Sequence, residues 1–160
     1  MRTTWSFHTP GKLIFGRGAV RQLGEIVARL KASRVLVVTD KPLVEAGVAA
    51  AIREPLAAAG ATVEVFDGGE PEPPISAVNA VIAMARDVRA EVLIGLGGGS
   101  NMDIAKAAAV VLAHGGTVKD FAGDSIVPGP IFPLVLIPTT AGTGSEVTAA
   151  SVLSDPEQGS

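Results

Sequence analysis

Cysteine is absent from the 160 residues, and no apolar run is both long and uninterrupted. The lack of cysteine excludes disulfides, thiolate nucleophiles and cysteine-ligated zinc. The longest uncharged stretch, residues 125–145, contains four prolines and three glycines, so it cannot form the continuous helix of about 20 residues that spans a bilayer. The first ten residues hold no apolar core of signal-peptide length. We therefore expect a cytoplasmic protein with no membrane partner.

Basic charge is also scarce, with 13 Lys and Arg against 16 Asp and Glu and a net charge of -3. Nucleic-acid-binding proteins concentrate basic residues on one face or along a stripe, and the sequence has no such stripe, so we expect no nucleic-acid partner. Hydrophobic residues make up 48% and charged residues 18%, which excludes disorder for most of the chain.

Four short runs rich in branched aliphatic residues predict buried strands at 34–39, 62–66, 91–96 and 132–137. Helical spacing of Ala and Leu predicts helices at 20–30, 42–59, 77–88 and 101–113. Strands that alternate with helices indicate βαβ units, and continuous apolar strands fit a parallel sheet covered on both faces. The sequence therefore predicts one doubly wound, mainly parallel α/β domain over residues 1–160.

The C-terminal residues do not fit this alternation. Residues 146–153 resemble a strand and 154–159 the turn after it, but no returning strand follows. A frayed tail would explain this pattern, and so would a longer protein truncated within a hairpin. The unpaired strand favours the longer protein.

A glycine-rich loop follows the third predicted strand and consists of Gly97, Gly98, Gly99 and Ser100. Glycines let backbone amides approach a ligand closely, and the start of a helix suits a phosphate. The spacing matches neither the G-x-G-x-x-G fingerprint nor the P-loop. We interpret the segment as a phosphate-binding loop, and the alternative is a turn with Ser100 as helix cap. Asp103 lies in the first turn of the predicted helix, where an acidic side chain stabilises the helix through its dipole. Lys106, three residues later, could pair with Asp103 on a solvated face.

Polar side chains follow two more predicted strands, and open parallel sheets bind ligands beyond this edge. Asp40 ends the first strand, where it would either accept hydrogen bonds from a ribose or cap the next helix. The fourth strand is followed by Thr139, Thr140, Thr143 and Ser145, which form either a ligand-binding loop or a solvated one. The segment 66–74 predicts a turn that could border an adenine pocket. The two histidines, His8 and His114, stand in unrelated contexts and do not make a metal site.

Together these motifs resemble the iron-containing (group III) alcohol dehydrogenase family. The matching segments are 10–19, 37–40, 66–71, 97–106 (Gly-Gly-Gly-Ser-Asn-Met-Asp-Ile-Ala-Lys) and 138–147 (Pro-Thr-Thr-Ala-Gly-Thr-Gly-Ser-Glu-Val). The resemblance implies a Rossmann-like NAD(P)-binding domain, followed in the family by an all-helical metal domain that this chain lacks. Glu72 departs from the family pattern, because members often carry a neutral Asn there.

The resemblance also implies roles for the polar residues. The glycine-rich loop 97–100 would cradle the pyrophosphate, and Asp40 would face the adenosine ribose, which favours NAD over NADP. Asp103 would lie near the nicotinamide and the substrate. The hydroxyl side chains that would line the nucleotide are Thr139, Thr140, Thr143 and Ser145.

The family's metal ligands, an Asp and several His, come from the segment after position 160. The resemblance therefore implies hydride transfer between nicotinamide and an alcohol or aldehyde, with a divalent metal (Fe or Zn), in a complete protein. This chain would be the cofactor-binding part, inactive alone, of a homo-oligomer. The alternatives are a relative of glycerol dehydrogenase or dehydroquinate synthase, which the 138–147 motif disfavours, and a free-standing NAD-binding module, which the unpaired strand disfavours.

Overall fold

The computed structural model describes residues 11–123 and 126–155. In these ranges one sheet contains four strands: β1 (Arg34–Val38), β2 (Thr62–Phe66), β3 (Val92–Gly97) and β4 (Leu134–Pro138). The strand order is β2-β1-β3-β4, and every neighbouring pair is parallel. The α-helices of the same ranges are α1 (Leu23–Arg29), α2 (Lys41–Glu45), α3 (Val48–Ala58), α4 (Ile75–Asp87) and α5 (Gly99–His114). The predicted parallel α/β fold is confirmed.

Helices cover both faces of the sheet. Leu36, Val38 and Leu93 pack against α4 and α5, whereas the intervening strand residues Val35 and Val37 pack against α1 and α3. Successive side chains of a strand point to opposite faces, so these buried strands have apolar residues at consecutive positions. None of the helices in the described ranges is long and apolar enough to cross a bilayer.

The helix predicted over 42–59 is wrong as a single element, because the chain forms α2 and α3 instead. Gly47 separates them with a φ of +78°, a left-handed conformation that glycine adopts at little cost. α2 begins after Asp40, whose Oδ1 accepts a hydrogen bond from the Leu43 backbone N at 2.9 Å. Asp40 is therefore the N-cap of α2, one of its two predicted roles.

The strand predicted at 146–153 is also wrong. Residues Ser145–Val147 form a short 3-10 helix, and an irregular segment follows. Among the described residues of this tail, Ser154 alone pairs in the manner of a strand, through an isolated parallel bridge to Pro74. The inference of a longer protein from an unpaired strand, and the argument against a free-standing module, therefore lose their basis. Residues 156–159 of the predicted turn lie outside the described ranges.

Glu91 joins the starts of β1 and β3. Its carboxylate accepts hydrogen bonds from the backbone N atoms of Ser33 (2.6 Å) and Arg34 (3.0 Å) and from Arg34 Nη2 (2.8 Å). The hydrogen bond from the Ser33 backbone N has the largest effect on the pKa of Glu91 and holds it below its usual range. The bond from the Arg34 backbone N lowers the pKa further.

This lowered pKa predicts a pH dependence of stability. A carboxyl with a lower pKa in the folded than in the unfolded state stabilises the fold above the unfolded-state pKa, and that contribution disappears as pH falls through the folded-state pKa. In urea titrations from pH 7 into the acid range, we expect Glu91→Gln to lose less stability than the unaltered chain. Parallel pH profiles for the two proteins would contradict this prediction.

Candidate functional site

A cleft of about 440 Å³ opens at the carboxyl end of the sheet. Segments that follow all four strands line it: Asp40, Pro42 and Leu43 after β1, Gly69, Glu70 and Pro71 after β2, Gly98, Ser100 and Asn101 after β3, and Thr139 and Thr140 after β4. The central strands β1 and β3 are neighbours, with β2 and β4 on opposite sides. Such a switch in strand order is where open α/β sheets bind ligands.

The N-terminus of α5 reaches this cleft. Gly98 is its N-cap, and no described side chain caps the helix, so the alternative role of Ser100 as the cap is wrong. The first hydrogen bond of the helix runs from Met102 N to Gly98 O at 3.3 Å. The preceding N–H groups have no partner within the helix, and together they carry a partial positive charge.

Gly98 contributes an opening at the cleft. Its φ of −79° and ψ of −173° are accessible to any residue. A Cβ added there would meet only the Thr140 side chain, at 3.4 Å from Oγ1, which is ordinary contact. The fold itself therefore does not require glycine at this position. The absence of a side chain leaves room for a ligand beside the start of the helix.

Asp40 and Asn101 meet at the cleft floor. Asn101 Nδ2 donates hydrogen bonds to Asp40 Oδ2 at 2.7 Å and to the Leu96 carbonyl oxygen at 3.0 Å. Asp40 is half-buried and Asn101 is 2% exposed. The predicted site residue Asp40 thus lies in the cleft as well as at the cap of α2. Sequence reasoning missed Asn101.

The loop after β4 is divided between the cleft and the interior. Thr139 and Thr140 line the cleft, and Thr139 N donates to the Gly97 carbonyl oxygen at 2.9 Å. Thr143 lies against Gly99, where an added Cβ would stand 3.0 Å from Thr143 Cγ2. Ser145 is buried, and its Oγ donates to an oxygen of Asp103 at 2.7 Å. Of the four predicted hydroxyl residues, the structure brings the first two to the cleft wall.

Asp103 and Lys106 form a buried ion pair of 2.9 Å between Asp103 Oδ1 and Lys106 Nζ. The predicted pairing is confirmed, but the expected solvated face is wrong. Lys106 Nζ donates to the carbonyl oxygens of Ser145 (3.1 Å), Thr148 (3.5 Å) and Ala150. Asp103 Oδ2 accepts from Val152 N at 3.0 Å. These bonds replace strand pairing in the tail, and both side chains lie behind the cleft wall rather than on its lining.

The turn after β2 forms the opposite wall of the cleft. Gly69 N donates to the Thr39 carbonyl oxygen at 2.9 Å, and Gly68 forms an isolated antiparallel bridge with Asp40. The predicted turn therefore borders the cleft, as one of its two interpretations held. Glu72 has a φ of +51° and lies outside the cleft lining among the described residues.

A sequence model of the family described as iron-containing alcohol dehydrogenase matches residues 10–160. The match includes both motif-bearing loops and every strand of the sheet. The chain belongs to the iron-containing alcohol dehydrogenase family.

Relatives of this family agree in sequence and in fold. Long-chain-alcohol dehydrogenase 1 of Geobacillus thermodenitrificans is 44% identical over 142 residues, which are 87% of this chain and 36% of that protein. The crystal structure of 1,3-propanediol oxidoreductase superimposes with a TM-score of 0.92 at 34% identity, over 97% of this chain and 41% of that chain.

A third relative was solved with a dinucleotide. Sulfoacetaldehyde reductase from Bifidobacterium kashiwanohense, in complex with NAD+, superimposes with a TM-score of 0.87 at 31% identity, over 98% of this chain and 42% of that chain. The chain spans about two-fifths of the length of the curated relatives that it matches.

The metal of this iron-containing family has no donor set within residues 11–123 and 126–155. No three His, Cys, Asp or Glu side chains of these ranges are grouped as a metal ion requires. His114 is exposed at the end of α5, with its ring centroid 6.1 Å from that of Phe121. The other histidine, His8, lies outside the described residues. The described residues therefore do not fit the metal.

Proposed function

We propose that this chain is the NAD-binding part of an alcohol dehydrogenase or aldehyde reductase. The observation that carries the proposal is the uncapped start of α5 beside Gly98, at the strand switch point of the sheet. Unpaired backbone N–H groups and the helix dipole together favour a phosphate. The NAD+ complex of a relative with the same fold supports a dinucleotide as the ligand.

The pyrophosphate would lie against the N–H groups that precede the first hydrogen bond of α5. A Ser100 hydroxyl at the second helical position and the Thr140 hydroxyl near Gly98 add neutral donors to the same side of the cleft. Gly98 lets the phosphate oxygens approach the backbone closely. Thr139 would line the nucleotide next to them, and Asp103, Thr143 and Ser145 would support the wall from behind.

Asp40 would select the adenosine ribose. Each of its carboxylate oxygens accepts one hydrogen bond in the structure, and each has a second lone pair for a ribose hydroxyl. The negative charge would repel the 2′-phosphate of NADP. The charge and the free lone pairs therefore both favour NAD.

The bound nicotinamide supplies the hydride chemistry. The names of the relatives, which include long-chain-alcohol dehydrogenase, 1,3-propanediol oxidoreductase and sulfoacetaldehyde reductase, support an alcohol or aldehyde as the substrate class. We assign turnover to a complete protein that also supplies the ligands of a divalent metal, Fe or Zn. These 160 residues would bind the cofactor without catalysing turnover. The homo-oligomer and the cytoplasmic location stay predictions.

Calorimetric titration of the chain with NAD and with NADP tests the role of Asp40. We expect NAD to bind more tightly by about tenfold or more, because a carboxylate opposite a 2′-phosphate costs at least 1.4 kcal/mol, or about tenfold in affinity. Asp40→Gly should erase this preference.

Asp40→Asn is the matched control. An Asn side chain caps a helix about as well as Asp, so α2 should keep its N-cap while the negative charge disappears. The preference for NAD should shrink in Asp40→Asn, and we expect a stability cost of about 1–3 kcal/mol, because the new amide nitrogen faces the Asn101 Nδ2 donor where Asp40 Oδ2 accepted a hydrogen bond. Equal affinities for the two dinucleotides in the unaltered chain would refute the role of Asp40, and no binding of either would refute the proposed function.

A further inference from the structure

Asn101 is a polar side chain enclosed at the floor of the cleft. It is 2% exposed, and Nδ2 uses both of its protons, one to Asp40 Oδ2 and one to the Leu96 carbonyl oxygen. Burial of an amide is costly unless such bonds are made. An apolar residue at this position would take this donor away from both the Asp40 carboxylate and the Leu96 carbonyl oxygen.

The Asn101 amide lies where three segments of the cleft meet. A Cβ on Gly69 would stand 2.0 Å from Asn101 Oδ1, and a Cβ on Gly97 would stand 2.2 Å from Nδ2. Neither position can carry a side chain while the amide keeps its place. The amide is thus held between the end of β3, the turn after β2 and the end of β1.

We infer that Asn101 is a positioning residue that fixes the Asp40 carboxylate for recognition of the adenosine ribose. The inference rests on the proposed function, since it concerns the same site. Asp40 Oδ1 is held by the Leu43 backbone N and Oδ2 by Asn101. Two anchors set the plane of the carboxylate, which determines where its remaining lone pairs point.

Loss of the second anchor affects NAD more than NADP. Without Asn101 Nδ2, the Asp40 carboxylate would keep Leu43 N as its partner among the described residues and could rotate about its Cβ–Cγ bond. NAD would then bind less tightly, because fixing the carboxylate against the ribose diol costs free energy. NADP gains no comparable bond, because its 2′-oxygen carries the phosphate. The ratio of the two affinities therefore reports on the orientation of Asp40.

The test is a set of dissociation constants for NAD and NADP with Asn101→Ala and Asn101→Leu, in the unaltered chain and in Asp40→Gly. We expect either substitution to weaken NAD binding by about tenfold, which is the loss typical of one hydrogen bond to a charged group. NADP binding should weaken less, so the preference for NAD over NADP, expressed as the ratio of the two dissociation constants, should become smaller. In the Asp40→Gly background the same substitutions should leave the ratio unchanged, because no carboxylate remains to be positioned. Circular dichroism identifies which of the two variants is folded.

Two outcomes would overturn the inference while the proposed function stands. One is an equal loss of NAD and NADP affinity in a folded Asn101 variant, which would make the amide merely structural. The other is the same change of ratio in the Asp40→Gly background, which would mean that Asn101 does not act through Asp40. Failure of the unaltered chain to bind NAD at all would overturn the proposed function and this inference together.

Discussion

Replacement of Lys106 with methionine is expected to lower the free energy of unfolding by about 3–5 kcal/mol. Lys106 Nζ pairs with Asp103 at 2.9 Å in the protein interior and also donates to three carbonyl oxygens of the 145–150 segment. Methionine fills a similar volume but removes the charge and all donors. The buried Asp103 carboxylate would then lose its counter-charge, although it keeps the hydrogen bonds from Ser145 and Val152, and three carbonyl oxygens would lose a donor. Breaking a buried pair in this way costs more than the pair itself contributes. Urea unfolding followed by circular dichroism measures the loss.

An exposed ion pair offers the matched control. Arg29 pairs with Glu25 one turn earlier in α1, with the two side chains 63% and 60% exposed. Arg29→Met should change stability by about 0.5 kcal/mol or less, because solvent screens such a pair. Equal losses for the two substitutions would mean that the buried pair stabilises the fold no more than a surface pair.

Replacement of Gly98 with valine is expected to weaken NAD binding by about a hundredfold or more, while the chain still folds. The valine side chain would occupy the space beside the first N–H groups of α5. A ligand pushed away from these groups loses its hydrogen bonds to them. Valine is a poorer N-cap than glycine, so we expect a stability cost of about 1 kcal/mol. Calorimetry and urea unfolding measure the two effects separately.

Two further glycine variants separate binding from folding. Gly98→Ser places a good N-cap at the same position, so stability should hold while its hydroxyl takes the N–H groups from the phosphate. Gly95→Ala should lower stability without weakening NAD binding by the folded protein. Its Cβ would stand 2.8 Å from Leu136 Cδ2 and 3.0 Å from the Ala105 Cβ in the core, away from the cleft. Full NAD affinity in a folded Gly98→Val protein would show that the helix start does not hold the phosphate.

The sheet could be predicted because its physical cause is local. Branched aliphatic runs bounded by turn residues define β1 to β4, and the observed bounds differ from the predicted ones by at most two residues. The tail at 146–153 has the same local character, yet it does not form a strand. Its backbone groups bond to the side chains of Asp103 and Lys106, more than 35 positions earlier in the chain, and no local pattern reports such a partner.

Part of the site could be predicted from the positions of the strands, whereas the role of the residues on α5 could not. The carboxyl ends of parallel strands meet at one edge, so Asp40, Gly98 and Thr140 could be grouped from the strand positions alone. Asn101, Asp103 and Lys106 were harder to interpret because residues 101–106 are all buried, with β3 beneath α5 and the tail beyond it. On a helix enclosed in this way, spacing no longer distinguishes a solvated face from an inner one.

The C-terminal tail connects the two outer flanks of the cleft. It leaves the loop after β4 at Ser145, is held midway by the bond from Val152 N to Asp103, and ends against the turn after β2, where Ser154 N donates to the Pro73 carbonyl oxygen at 3.0 Å. Together with the bonds from Lys106 Nζ to the carbonyl oxygens of Thr148 and Ala150, these contacts tie the loop after β4 to the turn after β2. The tail therefore links the two outer sides of the cleft without contributing a residue to its lining.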